Sequence, residues 1–237
     1  MTIGGKKYVD PVFVEPDKQQ ISTVNLQAYK ILFVGNSITR HGVYREIGWK
    51  YEAGMAASAE KNDYAHRTVA LIQEQMPERK VEFYYGNVNL LIKSSEPARN
   101  LPELFGEKMP KPDLVIIQTG EHEGPDKSAA KIETLYEKKI IRPLAELQVP
   151  MLAVGVWYPT DNQPYPDWVK QIDDIYRKVC QNYNVPFASV EAYAKNPECR
   201  NSGSHPAVKW HPSDAGMAGY AAEILTMFRH LKRDHGR

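Results

Sequence analysis

An apolar run at residues 31–34 is followed directly by Gly35, Asn36 and Ser37. The run is too short for a helix, and its β-favouring side chains predict a strand buried within a parallel sheet. Gly35 allows the chain to turn sharply where that strand ends. Because open α/β sheets place their chemistry at the carboxyl ends of their strands, Ser37 is a candidate nucleophile.

Apolar runs and amphipathic segments alternate along the rest of the chain. Strands are predicted at residues 31–34, 81–85, 114–118, 151–156 and 185–190, and helices at 63–75, 128–147, 167–183 and 213–231. This alternation predicts a parallel sheet flanked by helices on both sides. Pro143 is expected to interrupt the second helix near its end, and residues 86–112, which contain several prolines, are predicted to be irregular.

The length of the chain, 237 residues, is enough for one large α/β domain with a full core. No linker divides the sequence into parts. We therefore expect residues 30–237 to form a single domain, with residues 1–29 as an extended arm packed on it.

Composition and charge limit the function classes. The net charge of +1 indicates no strong field for nucleic acid or an anionic membrane, so neither is expected as a partner. No apolar stretch is long enough to span a bilayer, and the first residues lack the apolar core of a signal peptide. The protein is expected to be cytoplasmic, or secreted if an export signal has been removed. Its two cysteines lack metal-site spacing, and no metal or cofactor is expected. The oligomeric state is left open.

A serine nucleophile needs a neighbouring base and hydrogen-bond donors for the oxyanion that forms during acyl transfer. His211 precedes Pro212 and the last predicted helix, on a loop that a parallel sheet would bring to the same edge as Ser37. The backbone N–H of Ser37 is itself a candidate oxyanion donor. Alone, Ser37 reads as a helix cap, but its pairing with His211 favours a nucleophile. His205 is a rival base, but no helix is predicted immediately after it, so His211 is preferred.

Two sequence blocks resemble those of the SGNH (GDSL-type) hydrolase family. Residues 35–39, Gly-Asn-Ser-Ile-Thr, are similar to the first block, and residues 210–217, Trp-His-Pro-Ser-Asp-Ala-Gly-Met, are similar to the last. Residues 115–123 stand where the third block belongs. The resemblance runs from residue 31 to the last helix. It implies a three-layer α/β/α sandwich with a flavodoxin-like parallel sheet, and metal-independent hydrolysis of acyl bonds by a serine and a histidine.

The first departure from the family pattern concerns the acid of the catalytic triad. Val208 stands where the family has the aspartate that orients the histidine. Either Ser37 and His211 act as a dyad, with a backbone carbonyl holding the ring, or another acid substitutes. Glu191, after the last predicted strand, and Asp214, beside the histidine, are the candidates. Asp214 also suits the amino end of the last helix, where negative charge is favourable.

Two further departures concern the oxyanion donors. Alignment on Gly120 places His122 where the family supplies an asparagine. An imidazole can also donate a hydrogen bond, but a loop histidine without a catalytic part is an equal alternative. The glycine N–H of the second block corresponds best to Gly86. The neighbouring Asn87 and Asn89 are further candidates, through their side chains.

The segment at residues 46–58 is similar to a stretch in SGNH enzymes of bacteria that live on complex carbohydrate. That similarity implies deacetylation of a sugar, with the aromatic residues of the segment as candidate cleft-lining groups. The predicted function is therefore serine-dependent hydrolysis of a small acyl ester, on a small-molecule or carbohydrate substrate. The alternative is a catalytically impaired carbohydrate-binding module on the same fold, because the acid and oxyanion positions are altered.

Overall fold

A computed structural model describes residues 2–3, 6–7, 27–96, 111–201, 203 and 205–235. Near the amino terminus, β1 (Thr2–Ile3) and β2 (Lys6–Lys7) pair antiparallel. Most of the predicted arm, including residues 8–26, lies outside the described residues. Its packing on the domain therefore stays a prediction.

Five parallel strands form the central sheet, as the alternating runs predict. They are β3 (Tyr29–Gly35), β4 (Val81–Asn87), β5 (Leu114–Gln118), β6 (Met151–Val154) and β7 (Phe187–Ala188). Their order across the sheet is β4-β3-β5-β6-β7. With the strands counted along the chain, this is the flavodoxin-like order of a doubly wound sheet. The predicted α/β fold is confirmed.

The helices complete the layers on either side of the sheet. They are α1 (Tyr64–Gln75), α2 (Val88–Lys93), α3 (Ala129–Leu135), α4 (Arg142–Ala145), α5 (Asp167–Asn182), α6 (Glu191–Lys195), α7 (Pro206–Lys209) and α8 (Asp214–His235). Helices α1 and α8 pack on each other, and α3 packs on α5. Strands β5 and β6 are buried along their whole length, which requires cover on both faces. In the described part of the chain, no helix combines the length and apolarity that a membrane span requires.

Two predictions about helices need correction. The irregular structure predicted from residue 86 onward is wrong at α2, where the Asn87 side chain accepts a hydrogen bond from the Asn89 N–H at 2.9 Å and caps the helix. Val88 and Leu91 of α2 are buried, so tertiary packing stabilises a helix too short to show a period. Residues 97–110 of the same segment lie outside the described residues.

The predicted helix over residues 128–147 is divided by a π-helical turn, Tyr136–Ile141, between α3 and α4. Pro143 is the second residue after this turn, at the start of α4. A proline inside a helix lacks an N–H and its ring collides with the carbonyl group four residues earlier, here that of Lys139. The wider winding before Pro143 accommodates this collision, so the expected interruption takes the form of a π turn.

The order of the strands indicates which point at the edge of the sheet favours ligand binding. Strand β3 lies between β4 and β5, and the chain leaves β3 toward β4 before it returns to β5. In open α/β sheets, ligands bind outside the carboxyl ends of the strands where the direction of winding reverses. That point lies here between the ends of β3 and β5, directly before Asn36 and Thr119.

Candidate active site

Ser37 lies in a tight turn that begins where β3 ends. The N–H groups of Thr39 and Arg40 both donate to the carbonyl oxygen of Asn36, at 3.0 and 2.9 Å. The Ser37 carbonyl oxygen accepts a hydrogen bond from the Met55 N–H at 2.8 Å. The backbone on both sides of the serine is therefore held in place by hydrogen bonds.

The turn packs tightly against strand β5. A β-carbon at Gly35 would lie 1.9 Å from Thr39 Oγ1 and 2.6 Å from the carbonyl oxygen of Gln118, so only glycine fits without a shift. The buried Thr39 hydroxyl lies 2.8 Å from the Tyr64 hydroxyl and donates to Gln118 Oε1 at 3.3 Å. These buried side-chain hydrogen bonds thus connect the turn to α1 and β5.

The structure brings the candidate nucleophile and the preferred base together. The Ser37 hydroxyl lies 2.8 Å from Nε2 of His211. The histidine backbone is fixed by local hydrogen bonds. Its N–H donates to the Val208 carbonyl at 3.0 Å, and its carbonyl accepts from the Asn201 N–H at 3.0 Å. With Nε2 unprotonated, the imidazole is placed to take the hydroxyl proton.

Both candidate acids accept hydrogen bonds from residues of neighbouring loops. One oxygen of Asp214 accepts from the Ser58 N–H at 2.7 Å, and the other accepts from the Ser58 hydroxyl at 2.5 Å and the Asn62 side chain at 3.0 Å. Glu191 Oε1 accepts from the Tyr165 N–H at 3.1 Å. The two carboxylates thus connect the starts of α8 and α6 to neighbouring loops. Their role as a third catalytic residue stays a prediction.

The two predicted oxyanion donors, Gly86 and His122, lie in different surroundings. Gly86 lies inside β4, paired with Val34, and the strand continues to Asn87. It therefore reaches the same edge of the sheet as the turn after β3. His122 is exposed, and its carbonyl oxygen accepts a hydrogen bond from Lys127 Nζ at 3.0 Å. Both roles as oxyanion donors stay predictions.

Asn36 is a polar residue that the motif comparison did not single out. It immediately precedes Ser37, and its side chain is buried. Within the described part of the chain, its Oδ1 has no hydrogen-bond partner. Because buried amides are nearly always hydrogen-bonded in native proteins, this oxygen is an unusual polar atom directly beside the serine.

The segment that follows the turn folds back beside it and mixes buried and exposed aromatic residues. The His41 N–H donates to the Ala53 carbonyl at 2.9 Å, which closes the segment into a loop. Trp49 is buried, whereas Tyr44 and Tyr51 are exposed. The Tyr51 ring meets Trp49 edge-on, with 5.5 Å between ring centroids. Part of the predicted aromatic lining is therefore core, and the exposed tyrosines are the aromatic groups open to a ligand.

Glu121, three residues after β5 ends, is a buried carboxyl that the sequence reasoning missed. Its Oε1 accepts hydrogen bonds from the Trp157 N–H at 3.5 Å and from the side-chain amide of Gln118. Its Oε2 is buried without a hydrogen-bond partner among the described residues. Burial raises the pKa of Glu121 to about 7, against the opposing effect of these hydrogen bonds. The only signal in the sequence was an acidic residue three positions after a strand that is apolar up to its final glutamine.

Comparisons with known proteins show a shared fold. No family model matches the sequence. No curated protein matches it either. A two-domain esterase active on acetylated mannans matches with a TM-score of 0.60 and 21% identity, over 87% of this chain and 50% of that one. The chain therefore spans half the length of that esterase.

Two further solved structures match over nearly their whole length. An α/β hydrolase from the metagenome of Lake Arreo, Spain, has a TM-score of 0.59 and 19% identity, over 85% of this chain and 95% of that one. An acetylxylan esterase from Geobacillus stearothermophilus has a TM-score of 0.57 and 18% identity, over 86% and 95%. At these identities, the matches show that this chain has the α/β fold of these hydrolases.

Proposed function

We propose that this protein is a serine hydrolase of the SGNH type that removes a small acyl group, such as acetyl, from a carbohydrate ester. The contact of 2.8 Å between the Ser37 hydroxyl and His211 Nε2 carries the proposal. It lies at the edge of the sheet where open α/β folds bind their ligands. The two residues belong to the two sequence blocks that resemble the family most closely.

The proposed reaction has two stages. In the first, Ser37 Oγ attacks the ester carbonyl carbon while His211 Nε2 takes the hydroxyl proton. The tetrahedral intermediate collapses, and the imidazolium delivers that proton to the departing sugar oxygen, which leaves an acyl-serine. In the second, His211 deprotonates a water molecule, which attacks the acyl carbon. The bond from that carbon to Ser37 Oγ breaks, the imidazolium returns the proton to Ser37 Oγ, and the carboxylic acid leaves.

The oxyanion requires donors aimed at the position where negative charge develops. Ser37 is the second residue after the end of β3, and we assign its N–H the first donor role. Gly86 and His122 are the further proposed donors. The turn is held by backbone hydrogen bonds before substrate binds, so the Ser37 donor needs no rearrangement during the reaction.

The substrate class is supported by the solved structures of similar fold. One is of an esterase active on acetylated mannans, crystallised with mannopentaose. Two others are catalytic mutants of an acetylxylan esterase, in which a serine or a histidine is replaced by alanine. These descriptions concern the other proteins. Their application to this chain is part of the proposal.

The test is acetate release from acetylated xylo- and manno-oligosaccharides. We expect turnover by the wild type and a loss of about 10³-fold or more in both Ser37→Ala and His211→Ala. Ser128→Ala is the matched control, because Ser128 caps α3 at a distance along the chain from both blocks. Equal rates for wild type and Ser37→Ala would refute the proposal. A loss in Ser37→Ala without a loss in His211→Ala would assign the base to another residue.

A further inference from the structure

We propose that Glu121 is a positioning residue for His211, acting through Trp157 and the backbone of Trp210. The inference rests on the proposed function, because the position of the histidine matters to turnover only if it is the catalytic base. Glu121 makes no contact with the reacting atoms in this scheme. It acts by fixing the neighbours of the residue that does.

The first step is the contact between Glu121 and Trp157. The Glu121 carboxyl follows β5, and the Trp157 N–H that donates to it follows β6. The same carboxyl oxygen accepts from Gln118, the wholly buried last residue of β5. The Trp157 backbone nitrogen lies 3.5 Å from the carboxyl oxygen, and a buried setting strengthens hydrogen bonds of this kind. Glu121 thus fixes the Trp157 backbone relative to the end of the neighbouring strand.

The second step is the contact between Trp157 and the histidine loop. The indole of Trp157 is fully buried, and its Nε1–H donates to the Trp210 carbonyl oxygen at 2.7 Å. That carbonyl belongs to the peptide bond that joins Trp210 to His211. Since the indole is rigid and enclosed, a displacement of the Trp157 backbone would move the acceptor of this bond and with it the histidine.

A carboxyl group at residue 121 carries an energetic cost, because polar atoms there are buried without partners among the described residues. Glu121 Oε2 and the Tyr220 hydroxyl are both buried and, within the described residues, without hydrogen-bond partners. The Tyr220 ring lies beside Trp157, at 6.3 Å between centroids. Burying polar groups without partners is unfavourable. An apolar side chain would avoid that cost, so packing alone does not explain a carboxyl at residue 121.

The test measures kcat and KM on an aryl acetate for Glu121→Leu, Glu121→Gln, Trp157→Phe and the double variant Glu121→Leu/Trp157→Phe. Glu123→Gln is the matched control, because the Glu123 carboxylate pairs with Lys127 at 2.9 Å instead. The signal of the Trp157 indole N–H, one of four tryptophans, is followed by NMR. The signal that is absent from the spectrum of Trp157→Phe is assigned to the Trp157 indole.

We expect Glu121→Leu and Trp157→Phe each to lower kcat by about tenfold to a hundredfold with little change in KM, as displaced catalytic groups do. The double variant should lose no more than either single variant, because both break one chain of contacts. Glu121→Gln, which keeps an acceptor for the Trp157 N–H, should recover most of the loss. The indole signal should shift in Glu121→Leu and stay in place in Glu123→Gln.

A folded Glu121→Leu with the wild-type kcat would overturn the inference, as would losses that add in the double variant. If Glu121→Leu does not fold, Trp157→Phe decides the outcome, since the wild-type kcat in that variant contradicts the role of the indole. Failure of the proposed function would appear separately, as turnover that survives Ser37→Ala.

Discussion

The Ser37 hydroxyl and His211 Nε2 lie 2.8 Å apart, although 174 positions separate the two residues in the chain. A different part of the structure holds each partner. Ser37 lies in the turn after β3, and His211 precedes Ser213, whose N–H donates to the Cys199 carbonyl oxygen at 2.7 Å. Changes to either support should therefore alter activity even where the serine and histidine themselves are unchanged.

Gly35→Ala should damage both stability and turnover. The new methyl group would overlap Thr39 and the backbone of Gln118, and overpacking of this kind costs about 1–3 kcal/mol in free energy of unfolding. Urea unfolding and kcat on an aryl acetate measure the two effects. Gly48→Ala is the comparison. Gly48 has φ of +80°, and nothing lies within 4 Å of an added β-carbon. The alanine should therefore cost about 1–2 kcal/mol in backbone strain and leave turnover unchanged. Wild-type stability and kcat in Gly35→Ala would contradict the packing described for the turn.

Thr39→Val should destabilise the protein by about 1–3 kcal/mol, because it leaves the buried Tyr64 hydroxyl without the partner now at 2.8 Å. Thr39→Ser keeps the hydroxyl and should retain most of the stability. The free energies of unfolding in urea decide between these outcomes. If the valine variant is the more stable of the two, the hydroxyl does not support the turn.

Asp214→Asn should reduce stability more than activity. The substitution removes the charge and one of the two oxygens that accept hydrogen bonds from Ser58 and Asn62. We expect a loss of about 1–2 kcal/mol in free energy of unfolding and a kcat within about threefold of the wild type. Steady-state kinetics and chemical unfolding of the same preparation test this. A fall in kcat of about 10³-fold in a stably folded variant would instead make Asp214 a catalytic acid.

Glu121→Gln should change how stability depends on pH. Burial raises the pKa of Glu121 from 4.5 to about 7. Its protonation therefore contributes stability that is fully present below pH 4.5 and is lost as the pH rises through 7. Each pH unit of separation corresponds to about 1.4 kcal/mol, so the wild type should lose about 3 kcal/mol relative to the glutamine variant between about pH 4 and about pH 8.

Urea unfolding of both proteins across this range measures that difference, and the effects of other carboxyl groups, such as the buried Asp173, are largely common to both. Parallel stability curves for the two proteins would mean that Glu121 ionises at the same pH in the folded and unfolded chain.

The buried strands and the order of the motifs could be predicted because their signals are local. Residues 114–118 are apolar up to the final glutamine, and β5 occupies those positions. Aspartate is a residue type that favours the helix cap position, and the Asp63 side chain accepts a hydrogen bond from the His66 N–H at 2.8 Å. The meeting of Ser37 and His211 was predicted from the resemblance of their two sequence blocks and from the shared edge of loops after parallel strands, although the short helices α6 and α7 separate β7 from His211.

The remaining features depend on contacts between distant segments. Asp214 lies 156 positions from Ser58, so the sequence alone could not distinguish a catalytic acid from a carboxylate that joins two segments. Glu121 follows a strand as many surface residues do, and only the approach of Trp157 from the next strand buries it. Helix α2 is six residues long, which is too short for a periodic pattern.

Covalent labelling of Ser37 by a fluorophosphonate tests the central claim most directly, because this reagent reacts with serines that a neighbouring base has activated. Mass spectrometry of the digested protein identifies the modified residue. We expect one probe on the peptide that contains Ser37 in the wild type, none on Ser37→Ala, and labelling at least about a hundredfold slower in His211→Ala. A folded wild-type protein in which Ser37 stays unlabelled, or labels as fast without His211 as with it, would contradict the account.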